Sequence, residues 1–422
     1  MDKINVLVFP AGEINSIELH SALSTCVNIE LYGASSLDRH GEYVFKNYIS
    51  GLPFISDLDF LDKFNSLLEE NRIDIVFPTH DSVALFLANN QDQLKAKLIC
   101  ADKTTTEICR DKKKTYEILK DCDFIPQVFD TVDELPVFIK PSEGQGSVGA
   151  KLINSITELP QDLSSYVICE YLPGEEYTVD CLTDKNRVLK IVSPRSRKRM
   201  MAGVCVSGKT EILTDEIHNI ADQINQRLNF KGLWWFQIKR DKNNNWKLLE
   251  ISTRCAGTMC LTRARGINLP LLSVYVFLGY DVEAEANPVS IVLDRTLISR
   301  YQIDYNYNSV YFDFDDTLVV NNKVHLPAIK FLYQCKNENK KVILITKHSQ
   351  DIYETLAKFA ISSSLFNEII HIKPHEEKRE FITPSEAIFV DNAYQERKKI
   401  QKKHGIPTFD VDGLEVLINW RV

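Results

Sequence analysis

The chain has 422 residues, 44% of them apolar, which is too long for one hydrophobic core and enough for two or three domains. Its net charge of −8 speaks against general nucleic-acid binding, and no apolar run is long enough to span a bilayer. The ten cysteines are scattered, with no Cys-x-x-Cys pair and no zinc spacing. Together with an opening M-D-K-I-N-V-L-V-F-P that lacks a signal peptide's long apolar region, this leads us to expect a reduced, cytoplasmic protein.

In chain order, Ile4–Phe9 reads as a buried strand, followed by Pro10-Ala11-Gly12 and a helical pattern from Ser16 to Leu23. Ile29–Tyr32 reads as a second strand. Phe60–Glu70 reads as a helix with Phe60, Phe64, Leu67 and Leu68 on one face, and Ile73–Phe77 as a further buried strand. Strands alternating with helices predict a parallel, helix-covered sheet over residues 1–101, similar to a Rossmann-like half, although the lone Gly12 is no dinucleotide fingerprint. His80 and Asp81 follow a strand, where ligand contacts and helix caps are both common.

Residues 102–281 carry the densest chemistry. A helix begins at Asp111-Lys112, and Val137–Lys140 reads as a strand that delivers Lys140 to P-S-E-G-Q-G-S-V-G, residues Pro141 to Gly149. Glycines spaced by serines give a mobile loop whose backbone N–H groups can fold over phosphates. Glu170, Leu172 and Glu176 follow on and after a strand, an apolar residue between acids that suits an adenine slot and ribose hydroxyls. Gly232–Lys239 and Trp246–Ile251 read as antiparallel neighbours, which would bring Gln237 and Glu250 into one cleft as oxygen ligands for magnesium on nucleotide phosphates. Arg254 adds a planar donor for a phosphoryl or acyl-phosphate oxygen. Arg195, Arg197 and Arg199 alternate. On one strand they would form a row for an anionic substrate, and in a turn only a solvated basic segment.

This succession resembles the ATP-grasp superfamily, in its carbamoyl-phosphate-synthase-like and carboxylate–amine ligase branches. The resemblance covers residues 1–281, with 1–101 as the preceding α/β domain. It implies ATP and magnesium as cofactors, Lys112 and Lys140 as phosphate contacts, and Ser142, Gly144, Gly146 and Ser147 as the lid. It further implies Glu170 and Leu172 at adenine, Glu176 at ribose, and Gln237 and Glu250 on magnesium. Ser252 stands where the family has an asparagine ligand. Lys113 and Lys114 remain rivals of Lys112.

Residues 282–308 read as an apolar linker packed between domains. Beyond it, V-Y-F-D-F-D-D-T-L at Val310–Leu318 sends a buried strand into two carboxylates, Asp313 and Asp315, which suits a hard cation and a phosphoryl group. With the hydroxyl of Thr346 after V-I-L-I, Lys378, and Asp391 after A-I-F-V, the segment 309–422 resembles a haloacid dehalogenase (HAD)-like phosphatase. The resemblance implies Asp313 as nucleophile, Asp315 as acid/base, Thr346 and Lys378 as phosphoryl contacts, and Asp313, Asp315 and Asp391 at magnesium. Lys373 remains the rival of Lys378, and Asn392 replaces a second acid common in relatives. The intervals between these motifs leave no room for a cap domain.

The expected fold is α/β throughout. The expected function is an ATP-dependent ligase joining a small carboxylate to an amine, fused to a phosphatase acting on a phosphorylated metabolite, with no nucleic acid or membrane partner and a homodimer possible. The alternatives are an ATP-grasp kinase or carbamoyl-phosphate-type enzyme, or a nucleotide sensor with degenerate sites.

Overall fold

A computed structural model describes residues 3–421 apart from 38, 39, 145, 147 and 384. These residues divide into two compact units, 1–297 and 298–421. No helix among the described residues is long and apolar enough to cross a membrane.

The first unit opens with β1 (Ile4–Phe9), β2 (Ile29–Ala34), β3 (Asn47–Ile49), β4 (Ile75–Pro78) and β5 (Lys97–Leu98), which form a parallel sheet in the order β3-β2-β1-β4-β5. Strand alternation sets the layers. Val6 and Val8 pack with Leu19 and Leu23 of the helix Ile14–Leu23. Leu7 and Phe9 pack on the other face with the helices Phe60–Glu70 and Asp81–Asn89, where Phe9 meets Phe64 at 5.1 Å between ring centroids. The sequence boundary at residue 101 is not a break in packing. Leu269, Val274 and Val276 of the helix Leu269–Phe277 share the core of Val6 and Val8, and Arg263 pairs with the buried Glu18 at 2.8 Å.

The remaining strands of this unit are β6 (Val128–Phe129), β7 (Val137–Pro141), β8 (Lys151–Ile153), β9 (Tyr166–Glu170), β10 (Glu176–Thr183), β11 (Leu189–Ser196), β12 (Arg199–Met201), β13 (Val204–Lys209), β14 (Gly232–Arg240), β15 (Trp246–Ser252) and β16 (Val292–Asp294). They make a sheet β6-β9-β7-β8, a larger sheet β11-β10-β14-β15 and a small one β12-β13-β16. The glycine-rich loop joins β7 to β8. Behind the larger sheet, Val179, Cys181, Trp234, Phe236 and Leu248 pack with Ile217, Ile220 and Ile224 of the helix Asp215–Arg227. Trp234 is fully buried, stacked on Phe230 at 4.0 Å, with its Nε1 donating to Thr183 Oγ1 at 2.9 Å.

In the second unit, β17 (Ser309–Phe312), β20 (Lys341–Thr346), β21 (Glu368–His371), β22 (Ala387–Val390) and β23 (Thr408–Phe409) form a parallel sheet ordered β21-β20-β17-β22-β23, and a hairpin pairs β18 (Val319–Val320) with β19 (Lys323–Val324). Val310 and Phe312 face one core, and Tyr311 faces the other. Between β17 and β20 the chain holds only that hairpin and the helix Leu326–Asn337. The last helix is one turn, Leu414–Leu417. The segment 282–308 is not a single connector. Val292–Asp294 is a strand of the first unit, paired with Ser207–Lys209, whereas Tyr307 lies in the second unit's core.

Replacing Trp234 by Ala removes a stacked, hydrogen-bonded core side chain. We expect a loss of about 4 kcal/mol, read by chemical denaturation followed by circular dichroism.

Candidate functional site

The floor of a cleft of about 360 Å³ in the first unit is set by strand register. Arg195 of β11 stands opposite Thr178 of β10, which stands opposite Gln237 of β14, which stands opposite Glu250 of β15. All four line the cleft. One row away, Glu176 lies opposite Lys239, and on the other side Trp235 lies between Asp180 and Ser252. Gln237 and Glu250 are thus neighbours on adjacent strands, with oxygens that could hold a hard cation.

Two lysines approach from the wall. Lys112 Nζ lies 3.4 Å from Glu250 Oε2 and donates to the Gly144 carbonyl at 3.3 Å. Lys113 and Lys114 are exposed, so only Lys112 of the three reaches the cleft. Lys140 is buried, donating to Tyr116 Oη at 2.6 Å and to the Leu249 carbonyl at 2.9 Å. Burial holds its ammonium below its ordinary range. The glycine loop lies against the same wall, because Arg110 also donates to Gly144 O, at 3.2 Å. On its far side Gly203, at φ 77°, sits so close to Gly146 that any Cβ would collide with that carbonyl. Ser142 is held through its backbone, by Ser165 O and Lys112 N, and does not line the cleft. Ser147 lies outside the described residues.

Glu170 and the buried Leu172 line the cleft, and Glu170 Oε1 accepts from Gln127 N at 2.9 Å. Glu176 is flanked by Arg197 at 2.9 Å and Lys239 at 3.7 Å.

Three expectations change. The arginine row does not form, because β11 ends at Ser196 and the chain turns. Arg195 is buried on Asp180 at 2.8 Å and also bonds Thr258, Arg197 pairs with Glu176, and Arg199 is exposed and pairs with Asp294. Ser252 lines the cleft one row from Glu250, and its Oγ donates to Asp81 Oδ1 at 3.0 Å, so its hydroxyl proton is committed to that carboxylate. Arg254 is likewise not free, gripping Asp81 with two bonds of 2.9 and 2.7 Å. Asp81 heads the helix Asp81–Asn89, capped by His80, whose ring accepts from Ser82 N. Burial alone would raise the Asp81 carboxyl. Arg254 outweighs that and holds it below its ordinary range. Sequence reading gave Asp81 little weight and passed over Tyr116, a buried phenol whose role is set only by the strand packed on it.

These matches with known proteins bear on the cleft. Residues 162–298 match the family described as ATP-grasp in the biosynthetic pathway with Ter operon. The chain is 31% identical over 140 residues to a D-alanine–D-alanine ligase of Thermotoga petrophila, covering 29% of this chain and 46% of the relative. It is 27% identical over 152 residues to a 3-methyl-D-ornithine–L-lysine ligase of Methanosarcina barkeri, covering 35% of this chain and 40% of the relative. The chain therefore spans less than half the length of these curated relatives. A solved structure of biotin carboxylase from Campylobacter jejuni superposes with a TM-score of 0.56 at 14% identity, over 66% of this chain and 72% of that one, which shows a shared fold. The matched segment is thus similar to ATP-grasp sequences, and the two curated relatives are ligases.

In the second unit, Lys378 Nζ lies 2.6 Å from both Asp313 and Asp391 at the ends of β17 and β22. Burial pushes Asp313 up to about 6 and raises Asp391 as well. Burial would lower Lys378, but Asp313 and Asp391 hold it above its ordinary range. Lys373 is exposed, away from these carboxylates. Thr346 is fully buried, its Oγ1 accepting from His348 N at 3.1 Å. Asp315 is half exposed and meets His348 Nδ1 at 2.9 Å, while His348 Nε2 meets Thr355 Oγ1 at 2.9 Å. His348 escaped sequence reading, although it stands two residues after Thr346. Asn392 Oδ1 accepts from Thr317 Oγ1 at 3.3 Å. Among the described residues no group of three or more His, Cys, Asp or Glu forms a ready metal cage. The hard oxygens of Asp313, Asp391 and Asn392 still suit magnesium, because two buried carboxylates beside one lysine leave negative charge in excess.

Asp81→Asn leaves Arg254 buried without its carboxylate, and we expect a loss of about 3 kcal/mol at pH 7. Because the folded state depresses the Asp81 carboxyl, the wild-type contribution is present above pH 4 or so and lost as pH falls through the folded value. Denaturant titrations at pH 7 and pH 3 check this, the gap between wild type and variant closing at the lower pH.

Proposed function

We propose that the chain is an ATP- and magnesium-dependent carboxylate–amine ligase joined to a HAD-type phosphatase. The observation that carries the ligase half is the convergence of Lys112, Lys140, the glycine loop, Gln237 and Glu250 on one cleft. The ligase relatives support the same reading. On this reading Leu172 and Glu170 take the adenine, and Glu176 takes the ribose. Lys140, fixed by Tyr116, and Lys112, fixed by Gly144 O and Glu250, neutralise the transferring phosphoryl. Gln237 and Glu250 would hold magnesium, which shields phosphate charge when bound. Arg254 faces the acyl-phosphate oxygen from its anchor on Asp81. The acid takes the phosphoryl group, and the amine then displaces phosphate.

For the phosphatase half, the support is Lys378 Nζ between Asp313 and Asp391, which follow β17 and β22, with Thr346 at the end of the neighbouring β20. Asp313 attacks phosphorus to give an aspartyl-phosphate, Lys378 and Thr346 hold the phosphoryl oxygens, and Asp315 handles the leaving-group proton. Asp313, Asp315 and Asp391 would hold magnesium there, with Asn392 able to hold a water on it. Its substrate on this reading is a phosphorylated small molecule of the same pathway. Ser252 turned to Asp81 and Asn392 bound to Thr317 favour a second reading, a nucleotide sensor with weakened sites.

Lys140→Ala and Glu250→Ala should each lower ADP formation at least about a hundredfold and leave hydrolysis of an aryl phosphate intact. Asp313→Asn should do the reverse, since an amide cannot form the phosphoenzyme. Coupled ADP and phosphate-release assays on the full chain decide. ATP bound without turnover, and no phosphate released, would select the sensor.

A further inference from the structure

The cleft floor carries two buried polar atoms that no protein group satisfies. Among the described residues, Thr178 Oγ1 and Trp235 Nε1 have no hydrogen-bond partner, although the two residues are only 1% and 5% exposed. Both line the cleft. Native structures keep few such atoms, because an unmade buried bond is costly. Two aspartates near them are already engaged. Asp180 holds Arg195 and Thr262, and Asp81 holds Ser252 and Arg254.

Register makes the two orphans neighbours. Thr178 stands opposite Gln237, and Trp235 lies two residues earlier on that strand. Such diagonal positions are about 7–8 Å apart at the backbone, a span that an aromatic side chain bridges. An indole N–H can only donate, so its partner must be an acceptor, and the threonine hydroxyl can donate to the same group. Arg254 lies over the Trp235 ring at 5.5 Å, its charge balanced by Asp81, so the two unpaired donors are what call for an acceptor here.

The rows then order the ligand. Glu176 and Lys239 come first, Thr178, Gln237 and Glu250 next, and Asp180, Trp235 and Ser252 last. If the first row takes ribose and the second takes phosphates and metal, the space between the second and third lies beyond the terminal phosphate. The phosphoryl acceptor must stand there.

We propose that Thr178 and Trp235 form the carboxylate subsite of the ligase, an inference that rests on the ligase reading above. Both donate to one oxygen of the acid and leave the other free to attack. The new bond joins that oxygen to the terminal phosphorus, the bond from phosphorus to the bridging oxygen breaks, and ADP leaves with the electron pair.

The test uses the full chain with ATP, magnesium and a panel of amino acids and dicarboxylates, with hydroxylamine trapping acyl phosphate as hydroxamate. Thr178→Val keeps shape and removes the hydroxyl, and Trp235→Phe keeps a ring and removes the N–H. Each should raise KM for the acid about tenfold, with KM for ATP unchanged within about twofold. Unchanged acid KM in both variants, or a rise in ATP KM instead, overturns the subsite while the ligase reading stands. No hydroxamate from the wild type with any acid overturns the ligase reading and the subsite's role with it. The ligand-free Tm is a separate check. Thr178→Val should match or exceed the wild type, because it deletes an unpaired group, and a clear fall would show the hydroxyl already bonded within the protein and overturn the inference.

Discussion

The first unit's chemistry depends on the register of four antiparallel strands. Side chains alternate across a sheet, so a slip of one residue would turn Thr178 and Gln237 into the core and bring Val179 and Phe236 to the cleft. The hydrophobic face therefore fixes the polar one. Trp234, Phe236 and Ile238 pack behind β14, which leaves Trp235, Gln237 and Lys239 no choice but the cleft side. The aromatic run G-L-W-W-F-Q-I-K is thus a core device and a site device at once.

A second constraint is charge. Groups that must act on phosphate are cations, and burying them is costly unless each has partners. The protein answers with specific anchors. Lys140 rests on a phenol and a carbonyl, Lys112 on Glu250 and a loop carbonyl, and Arg195 and Arg254 each on one aspartate. Lys140 has no carboxylate directly upon it, and burial depresses its pKa accordingly. An incoming polyphosphate would reverse that depression, so phosphate binding and the charge on Lys140 support each other.

How much of this was legible in the sequence follows the range of each interaction. Period-two and period-three-to-four patterns marked Ile4–Phe9, Phe60–Glu70 and the β14–β15 hairpin, because those elements are fixed by burial within a short window. The hairpin also brought Gln237 and Glu250 together without any long-range information. What failed needed partners distant in the chain. Ser252 and Arg254 read as free ligands because Asp81 lies more than 150 residues earlier. The alternation of Arg195, Arg197 and Arg199 suggested one row, but a strand end after Ser196 cannot be seen from alternation. His348 carried no motif of its own, and only the fold of the second unit sets it on Asp315.

The two units differ in the local balance of buried charge. In the cleft of the first, Lys112 and Lys140 line a wall with one carboxylate directly upon Lys112, Glu250. In the second, two carboxylates share a single lysine, and burial, with Asp391 beside it, pushes Asp313 up to about 6 despite Lys378. A surplus of cations suits an anion that must be bound and released whole. A surplus of carboxylates suits a site that must supply a nucleophile and attract positive charge before an anion can enter. Asn392, bonded to Thr317 in place of a further acid, limits that surplus in the second unit. A neutral amide at Asn392 adds no repulsion toward an anion, whereas a carboxylate there would.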